Sequence, residues 1–373
     1  MIPFARILNY GNTVVPAGSD IEIYSTTNSL FVFRKSTQQL YGMGSSGNSL
    51  GLNNPLAVNS LTLLSNNVER VISNIDGGVN FFMYLSTDGK IYAAGTDQFM
   101  TNGVAGNAYN TWTDISSIFT AVNIPDIKGA QCYYGDKLNL IMNDGSLYCA
   151  GTNDVTKDAS FGTGNNVGTN RVLAKVPITN VVAVDGNMYL QSNGDLYACG
   201  TNTYYQYGNN STTSSASLVK VASNVREIGS GYRCNYYINN LNELRVCGSA
   251  FSLGTGNEMG TGAITVNRTW VKVADGVANM TTCRGNMALH YILQSGTLLS
   301  TGYNTNGCFG IGAGSPNTIV PVGAIPQPPT SSNSQISRGN IFTTVTTDTG
   351  VYIAGKCGDV VVTNSFIPLT LPW

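Results

Sequence analysis

The chain has 373 residues, of which 42% are hydrophobic and only 10% are charged, against about 25% charged residues in ordinary soluble domains. The net charge is −1, which argues against the clustered Lys and Arg of a nucleic-acid-binding surface. We see no apolar run long enough to cross a membrane and no secretion signal in the first residues. The eight cysteines are therefore interpreted as reduced thiols.

A short apolar stretch that ends in glycine recurs along the chain at intervals of 48 to 56 residues. Its copies are Leu40-Tyr-Gly-Met-Gly44, Ile91-Tyr-Ala-Ala-Gly95, Leu147-Tyr-Cys-Ala-Gly151, Leu196-Tyr-Ala-Cys-Gly200, Leu244-Arg-Val-Cys-Gly248, Leu298-Leu-Ser-Thr-Gly302 and Val351-Tyr-Ile-Ala-Gly355. Near-equal repeats of this length are typical of propellers, in which each repeat forms one blade. Seven copies predict an all-β protein, a seven-bladed β-propeller.

Other strand signals lie ahead of most copies. Asp-Gly or Asn-Gly turns follow apolar runs, as in Leu140-Ile-Met-Asn-Asp-Gly145 and Tyr189-Leu-Gln-Ser-Asn-Gly194, and such pairs favour tight hairpins because the turn needs positive φ. Further upstream are strand candidates such as Val181-Val-Ala-Val, Val219-Lys-Val-Ala and Val271-Lys-Val-Ala. Each unit thus supplies three or four short strands, and we expect little helix.

The repeats predict one domain over residues 1–373. An open array of blades would leave bare strand edges, so the ring must close. The seventh unit ends with Val360-Val-Val-Thr, and the chain before the first unit contains Ile21-Glu-Ile-Tyr and Phe31-Val-Phe. We therefore expect strands from both termini to close the ring by completing one shared blade.

The residues after the repeated glycine resemble a known family. The stretches Gly302-Tyr-Asn-Thr-Asn-Gly-Cys-Phe-Gly-Ile-Gly312 and Gly200-Thr-Asn-Thr-Tyr-Tyr-Gln-Tyr-Gly208 are similar to the G-x-N-x-x-G-Q-L-G-x-G turn of the regulator of chromosome condensation (RCC1) repeats. Pieces of the same turn are Asn153 with Phe161-Gly-Thr-Gly164, and Leu253-Gly-Thr-Gly256. The resemblance implies a seven-bladed propeller, but a fold does not define a function.

Catalytic residues are not indicated by the sequence. The single histidine, His290, has Cys283 as its nearest thiol, and seven residues on a continuous strand would put the two side chains on opposite faces. Asp88 and Asp144 precede glycines and are interpreted as turn formers rather than paired carboxylates. We expect no catalytic residues and no cofactor.

Three cysteines lie at or next to one register of consecutive units: Cys149, Cys199 and Cys247. They lack the paired spacing of a metal site, so buried thiols between strands are favoured and no metal is expected. Disulfides between neighbouring blades stay open at this point, since pairing depends on the approach of the Cα atoms.

Aromatic residues that break the repeat are the candidates for binding. Tyr204 and Tyr205 lie in the family-like turn of the fourth unit, where Tyr207 takes the leucine place and is expected to be buried. Phe99 and Met100 lie in an insertion after the second unit. Tyrosine is favoured at contact surfaces, and propeller loops gather at the rims, so these four residues are the predicted binding site.

The function that we predict is that of a non-enzymatic structural or binding propeller on a virus particle. The abundance of Asn, Thr, Ser and Gly and the scarcity of charge are typical of bacteriophage tail and capsid accessory proteins. The role would be that of a decoration, collar or receptor-contacting component, assembled in the host cytoplasm. Its partners would be other virion proteins and a host surface receptor or glycan, without nucleic acid or membrane insertion. The alternative is a soluble intracellular protein-binding propeller, an inhibitor or an adaptor.

Overall fold

The structure is a computed structural model of the chain. It describes residues 20–75, 80–97, 107–133, 137–156, 160–165, 168–250, 258–262, 266–283, 287–312, 319–323, 325, 335–338, 342–347, 350–358 and 360–373. This part of the chain contains β-strands and short 3₁₀ turns, at Gly47–Leu50, Ser116–Phe119, Ile124–Asp126 and Thr305–Gly307, and no α-helix. Within it, no helix has the length and hydropathy needed to cross a membrane.

The strands form seven small sheets, each of which is one blade. Blade 1 contains β1 (Ile21–Ser25), β2 (Ser29–Arg34), β3 (Gln39–Gly44) and β4 (Val58–Ser65). Blade 2 contains β5 (Val68–Val71), β7 (Phe81–Ser86), β8 (Ile91–Asp97) and β9 (Asn107–Asp114). Blade 3 contains β10 (Ile127–Tyr133), β11 (Lys137–Met142), β12 (Leu147–Asn153) and β13 (Gly168–Lys175), and β6 (Ser73–Ile75) pairs in parallel with β10.

The remaining blades repeat the same antiparallel order. Blade 4 contains β14 (Val181–Asp185), β15 (Met188–Gln191), β16 (Leu196–Gly200) and β17 (Ser215–Ala222). Blade 5 contains β18 (Val225–Ser230), β19 (Cys234–Asn239), β20 (Leu244–Ser249) and β21 (Val266–Ala274). Blade 6 contains β22 (Val277–Cys283), β23 (Ala288–Leu293), β24 (Leu298–Gly302) and β25 (Val320–Pro321). Blade 7 contains β26 (Gln335–Arg338), β27 (Phe342–Thr347), β28 (Gly350–Cys357) and β29 (Val360–Pro368).

The seven sheets stand in a ring, which confirms the predicted propeller. First strands of neighbouring blades contact one another, as β14 contacts β18 and β22 contacts β26. The apolar core lies between blades: Phe31 of blade 1 stacks on Phe82 of blade 2 with ring centres 3.8 Å apart, and further clusters join blades 3 and 4, 4 and 5, 5 and 6, and 6 and 7.

Strands near both ends of the chain close the ring, but they belong to two neighbouring blades. β1 and β2 belong wholly to blade 1, and β29 is the fourth strand of blade 7. Among the described residues no sheet combines strands from the two ends, so the expected shared blade is wrong. The reason is the point in each repeat at which one blade ends and the next begins. The fourth strand of a blade follows its glycine-terminated third strand, so Val219-Lys-Val-Ala completes blade 4 instead of beginning blade 5.

Blades 7 and 1 pack directly against each other. Cys357 and Phe342 of blade 7 share a buried cluster with Leu30 and Met43 of blade 1. Beyond the last strand, the Trp373 ring lies 5.1 Å from the ring of Tyr41 and 4.9 Å from the guanidinium carbon of Arg34, both in blade 1. The C-terminal residues thus reach across the junction between the first and the last blade.

The repeated glycine is required by its backbone conformation. φ is +87° at Gly200, +108° at Gly248 and +104° at Gly302, in the range that favours glycine. A Cβ on Gly248 would lie 2.6 Å from the Cα of Cys234, the first residue of the second strand. Gly44 of blade 1 lacks the positive φ, in keeping with its less regular turn.

A second glycine joins each family-like turn to the next blade. A Cβ on this glycine would lie 2.6 to 2.9 Å from a side chain of the following blade or the segment leading into its fourth strand. The pairs are Gly51 with Trp112, Gly162 with Leu218, Gly208 with Trp270, Gly260 with Ile319 and Gly310 with Phe366. In blade 5 the position is therefore that of Met259-Gly260, whereas the predicted piece at Leu253-Gly-Thr-Gly256 lies outside the described residues.

Candidate functional site

The antiparallel strand order sends the connections to two faces of the ring. The turns between first and second strands and the loops between third and fourth strands emerge on one face, which we call the loop face. The hairpins between second and third strands and the links between blades emerge on the other, the hairpin face. Asp88 and Asp144 lie in those hairpins, where their carboxylates accept bonds from Ser86 and Ser146, as expected of turn formers.

Two of the four predicted binding residues can be placed. Tyr204 and Tyr205 lie on the loop face in the turn between β16 and β17, and both are half-buried. Phe99 and Met100 lie outside the described residues. Tyr207 is 1% exposed, as expected, and its hydroxyl donates to the carbonyl of Gly200 at 2.7 Å. Binding by these residues stays a prediction.

Asn202 holds the turn in shape. The side chain of this buried residue accepts a bond from the Tyr207 N–H at 2.9 Å and donates to the carbonyl of Ser211 at 2.8 Å. Gln206 ties the turn to blade 5, because its carbonyl accepts from Asn235 Nδ2 at 2.9 Å. The half-buried Tyr204 and Tyr205 therefore lie on a turn that several hydrogen bonds hold in place.

Tyr205 has an unusual backbone conformation, with φ at +63°. The equivalent residue in blade 6 is Gly307, with φ at +70°, in a turn that the same Asn-to-backbone bond closes, here from Phe309 N–H to Asn304 Oδ1. A left-handed conformation costs a residue with a Cβ about 1 to 2 kcal/mol. Glycine would adopt this backbone conformation at a lower free-energy cost than Tyr205 does. Residues in such unfavourable backbone conformations gather at functional sites.

Two arginines from blade 5 complete the group. The guanidinium carbon of Arg233 lies 4.2 Å from the ring centre of Tyr204 and 5.6 Å from that of Tyr232. The guanidinium carbon of Arg268, an exposed residue, lies 5.3 Å from the ring centre of Tyr205. Both distances to the blade 4 tyrosines are within the range of cation–π attraction. We call these five residues the blade 4–5 cluster.

Sequence analysis missed the arginines because they are remote from the tyrosines along the chain. Arg233 directly precedes β19, and Arg268 lies near the start of β21. The antiparallel blade order puts the end of a first strand and the start of a fourth strand on the same face as the loop after a third strand. A correct alignment of the blades would therefore have put both arginines on the loop face, but their approach to Tyr204 and Tyr205 depends on how blades 4 and 5 pack.

The charged groups are divided between the faces. On the loop face, the described carboxylates near the cluster are Asp185 and Glu258, which are both buried, and Asp154 in the loop of blade 3, which accepts bonds from Thr156. Ion pairs on the hairpin face or on the flanks of blades are Arg34–Asp20, Lys90–Asp114, Lys220–Asp195, Arg245–Glu243 and Lys272–Asp275.

His290 is placed as a structural residue. Its side chain is fully buried, its Nδ1 bonds the Ser300 hydroxyl, and its ring lies edge-on to Phe309 at 4.9 Å. Cys283 and His290 lie on two neighbouring antiparallel strands instead of one continuous strand: Cys283 pairs with Ala288, and His290 with Thr281. Among the described residues no group of His, Cys, Asp or Glu has the geometry of a metal site.

A buried amine lies between blades 3 and 4. Lys137 is 0% exposed, and its Nζ donates to the Ser160 carbonyl at 3.0 Å, Asn187 Oδ1 at 3.1 Å and the Tyr189 hydroxyl at 2.9 Å. Burial raises the pKa of the nearby Cys149 thiol to about 12, so this thiol is protonated at neutral pH.

The described cysteines are buried free thiols: Cys132, Cys149, Cys199, Cys234, Cys247, Cys308 and Cys357. Their inaccessibility agrees with a packing role, and it answers the question of inter-blade disulfides for these seven residues. Lys137, His290 and these thiols are buried, whereas the residues of the blade 4–5 cluster are at least partly exposed. The surface of the blade 4–5 cluster is therefore the candidate functional site.

Comparison with known proteins identifies the fold class. No protein-family model matches the chain, and no curated protein matches it in sequence. Among solved structures, human WBSCR16 is similar with a TM-score of 0.62 at 14% identity, over 85% of this chain and 86% of that one. Prp20p from Saccharomyces cerevisiae gives a TM-score of 0.65 at 14% identity, over 97% and 88% of the two chains.

The structure of yeast RCC1 (Prp20) bound to Kap60 gives the same TM-score of 0.65 at 15% identity, over 98% of this chain and 86% of that one. At such identities the likeness shows a common fold. The chain is a seven-bladed β-propeller whose fold is similar to that of the RCC1 structures, as the turn motifs implied.

Proposed function

We propose that the protein is a non-enzymatic binding module that holds a protein partner on its loop face, through the blade 4–5 cluster. The observation that supports this most is the placement of three tyrosines and two arginines on one surface, with Tyr205 held at φ +63°. Tyr and Arg are the residue types enriched at the centres of protein interfaces.

Propellers of the same fold provide a parallel. The structure of Prp20p is described with its binding properties to Gsp1p and histones, and yeast RCC1 (Prp20) was solved bound to Kap60. The parallel supports a protein partner as a class. It does not identify the partner of this chain, because the sequence identity is only 14 to 15% and the fold alone does not define function.

The setting that we propose is a virus particle, most simply that of a bacteriophage, where the propeller would contact other virion proteins and a host surface receptor or glycan. The support is compositional: 10% charged residues and abundant small polar ones. Mass spectrometry of purified particles tests this part. Recovery of the chain in stoichiometric amounts is expected, and its presence in host cytosol alone would contradict the setting but not the binding role.

The binding role is tested by capture with the immobilised chain, compared among three forms. The wild type is expected to retain a stoichiometric protein partner, and Tyr204→Ala combined with Tyr205→Ala is expected to lose it. Leu241→Ala is the control, because Leu241 is 77% exposed on the hairpin face of blade 5. Equal capture by the wild type and the double variant would overturn the assignment of the site.

A further inference from the structure

We infer that the blade 4–5 cluster binds an acidic segment of its protein partner, one rich in Asp and Glu. This inference rests on the proposed function and adds the chemistry that the surface recognises. Its basis is the pairing of each arginine with a tyrosine ring, together with the position of the nearby carboxylates.

Arg268 is the arginine of the cluster that a ligand can reach, because its side chain is exposed. A guanidinium carries its N–H donors in one plane, apart from the face that can lie against an aromatic ring. That plane presents the fork that fits a carboxylate with two parallel hydrogen bonds. Arg268 is exposed, and it has no ion pair with any residue in the described part of the chain.

The surrounding charges favour an anionic ligand. Asp185 is 6% exposed and is bonded to Gln131 and to Ser230, so its charge is turned inward. Glu258, in the connection between β20 and β21, is 2% exposed. An acidic segment would therefore approach Arg268 without meeting an exposed carboxylate of blades 4 and 5 in the described residues.

A short peptide fits this surface better than a polyanion. Nucleic-acid binding normally uses many Lys and Arg contacts to phosphate, on the order of six to ten, and the cluster has two arginines in a chain of net charge −1. Saccharides and bases bind by stacking on open aromatic faces, whereas an arginine already lies over a face of Tyr204 and of Tyr205. The exposed guanidinium of Arg268 offers N–H donors, which suit a carboxylate acceptor.

The experiment measures fluorescence anisotropy with two labelled peptides of equal length. One is built from Glu, Tyr and Gly, and in the other Gln replaces every Glu. The wild-type chain is expected to bind the acidic peptide at least about tenfold more tightly, with an affinity that falls as salt is added. Arg268→Gln is expected to remove most of this preference. Lys272→Gln is the matched control, a cation on the same strand that is already paired with Asp275 at 3.1 Å, and it is expected to leave the preference unchanged.

Equal affinity for the two peptides, no measurable binding of either, or an unchanged preference in Arg268→Gln would overturn the inference. A sulfated oligosaccharide or a single-stranded oligonucleotide that binds the cluster more tightly than the acidic peptide would also overturn it. These outcomes are separate from the proposed function. Suppose that the variant with Tyr204→Ala and Tyr205→Ala loses the captured partner, while Arg268→Gln and added salt do not change capture. That result would support the binding role and reject the acidic segment.

Discussion

Gly208 of blade 4 lies against the indole of Trp270 in blade 5, so closely that a Cβ on the glycine would come within 2.6 Å of Nε1. The same contact recurs around the ring with other apolar partners. Each family-like turn thus fixes its own blade to the next one. This contact also positions the turn that holds Tyr204 and Tyr205.

Gly208→Ala tests the contact between the blades. The substitution adds a clash with Trp270 to the cost of a left-handed φ of +61°, and it should lower the free energy of unfolding by about 2 to 4 kcal/mol. Gly276→Ala is the control, because Gly276 has φ +66° and no atom within 4 Å of a Cβ, so a loss of about 1 to 2 kcal/mol is expected. Chemical denaturation measures both. Equal losses of unfolding free energy in the two variants would show that the contact between Gly208 and Trp270 contributes nothing to stability.

Tyr205→Gly separates stability from binding. Glycine relieves the left-handed conformation but gives up the contact with Arg268 and adds freedom to the unfolded chain, so the unfolding free energy should stay within about 1 kcal/mol of wild type. Partner affinity should fall about tenfold. Tyr207→Ala, at a buried position two residues further along the turn, should instead lose about 3 to 5 kcal/mol. Unchanged partner affinity in Tyr205→Gly would contradict the role of this tyrosine.

Lys137 tests whether a buried amine stabilises blades 3 and 4. Lys137→Met keeps the length of the side chain but removes the donor of three buried hydrogen bonds, so it should cost about 1 to 3 kcal/mol. Lys137→Ala leaves a cavity beside Tyr189 and should cost about 3 kcal/mol. Denaturation of both variants at one pH provides the comparison. If the methionine variant were as unstable as the alanine variant, the three hydrogen bonds of the amine would be the stabilising feature.

Alkaline pH should destabilise the protein through its buried thiols and phenols. Burial raises the pKa of Cys149 and Cys357 to about 12 and raises that of Tyr236, so the folded state keeps the neutral forms. The unfolded thiol ionises near pH 8.5, so this stability is present below that pH and is lost as pH rises toward 12.

Denaturation midpoints measured between pH 8 and 10 check the alkaline effect. Wild type should lose about 2 kcal/mol more than Cys149→Ala over that interval, since the alanine variant lacks one of the ionising groups. Identical pH profiles for the two forms would show that the Cys149 thiol does not contribute to the loss.

The repeat predicted the fold from sequence because the glycine near the end of the third strand has a positive φ in every blade but the first, a conformation that other residues rarely adopt. The phase of the blades was not predictable in the same way. Val219-Lys-Val-Ala has the same strand pattern whether it follows or begins a unit, and only its pairing with β16 decides. Tyr204 and Tyr205 could be singled out because they interrupt the repeat. Arg233 and Arg268 could not, since their approach depends on how two blades pack.

The most direct measurement for the central claim is site-specific photo-crosslinking at Thr203 and at Leu241. Thr203 is exposed beside Tyr204 on the loop face, and Leu241 is exposed on the hairpin face of the neighbouring blade. With a photoreactive residue at each position in turn, irradiation in the native mixture should give a defined protein adduct from position 203 and none from position 241. An adduct from position 241 alone would contradict binding through the blade 4–5 cluster.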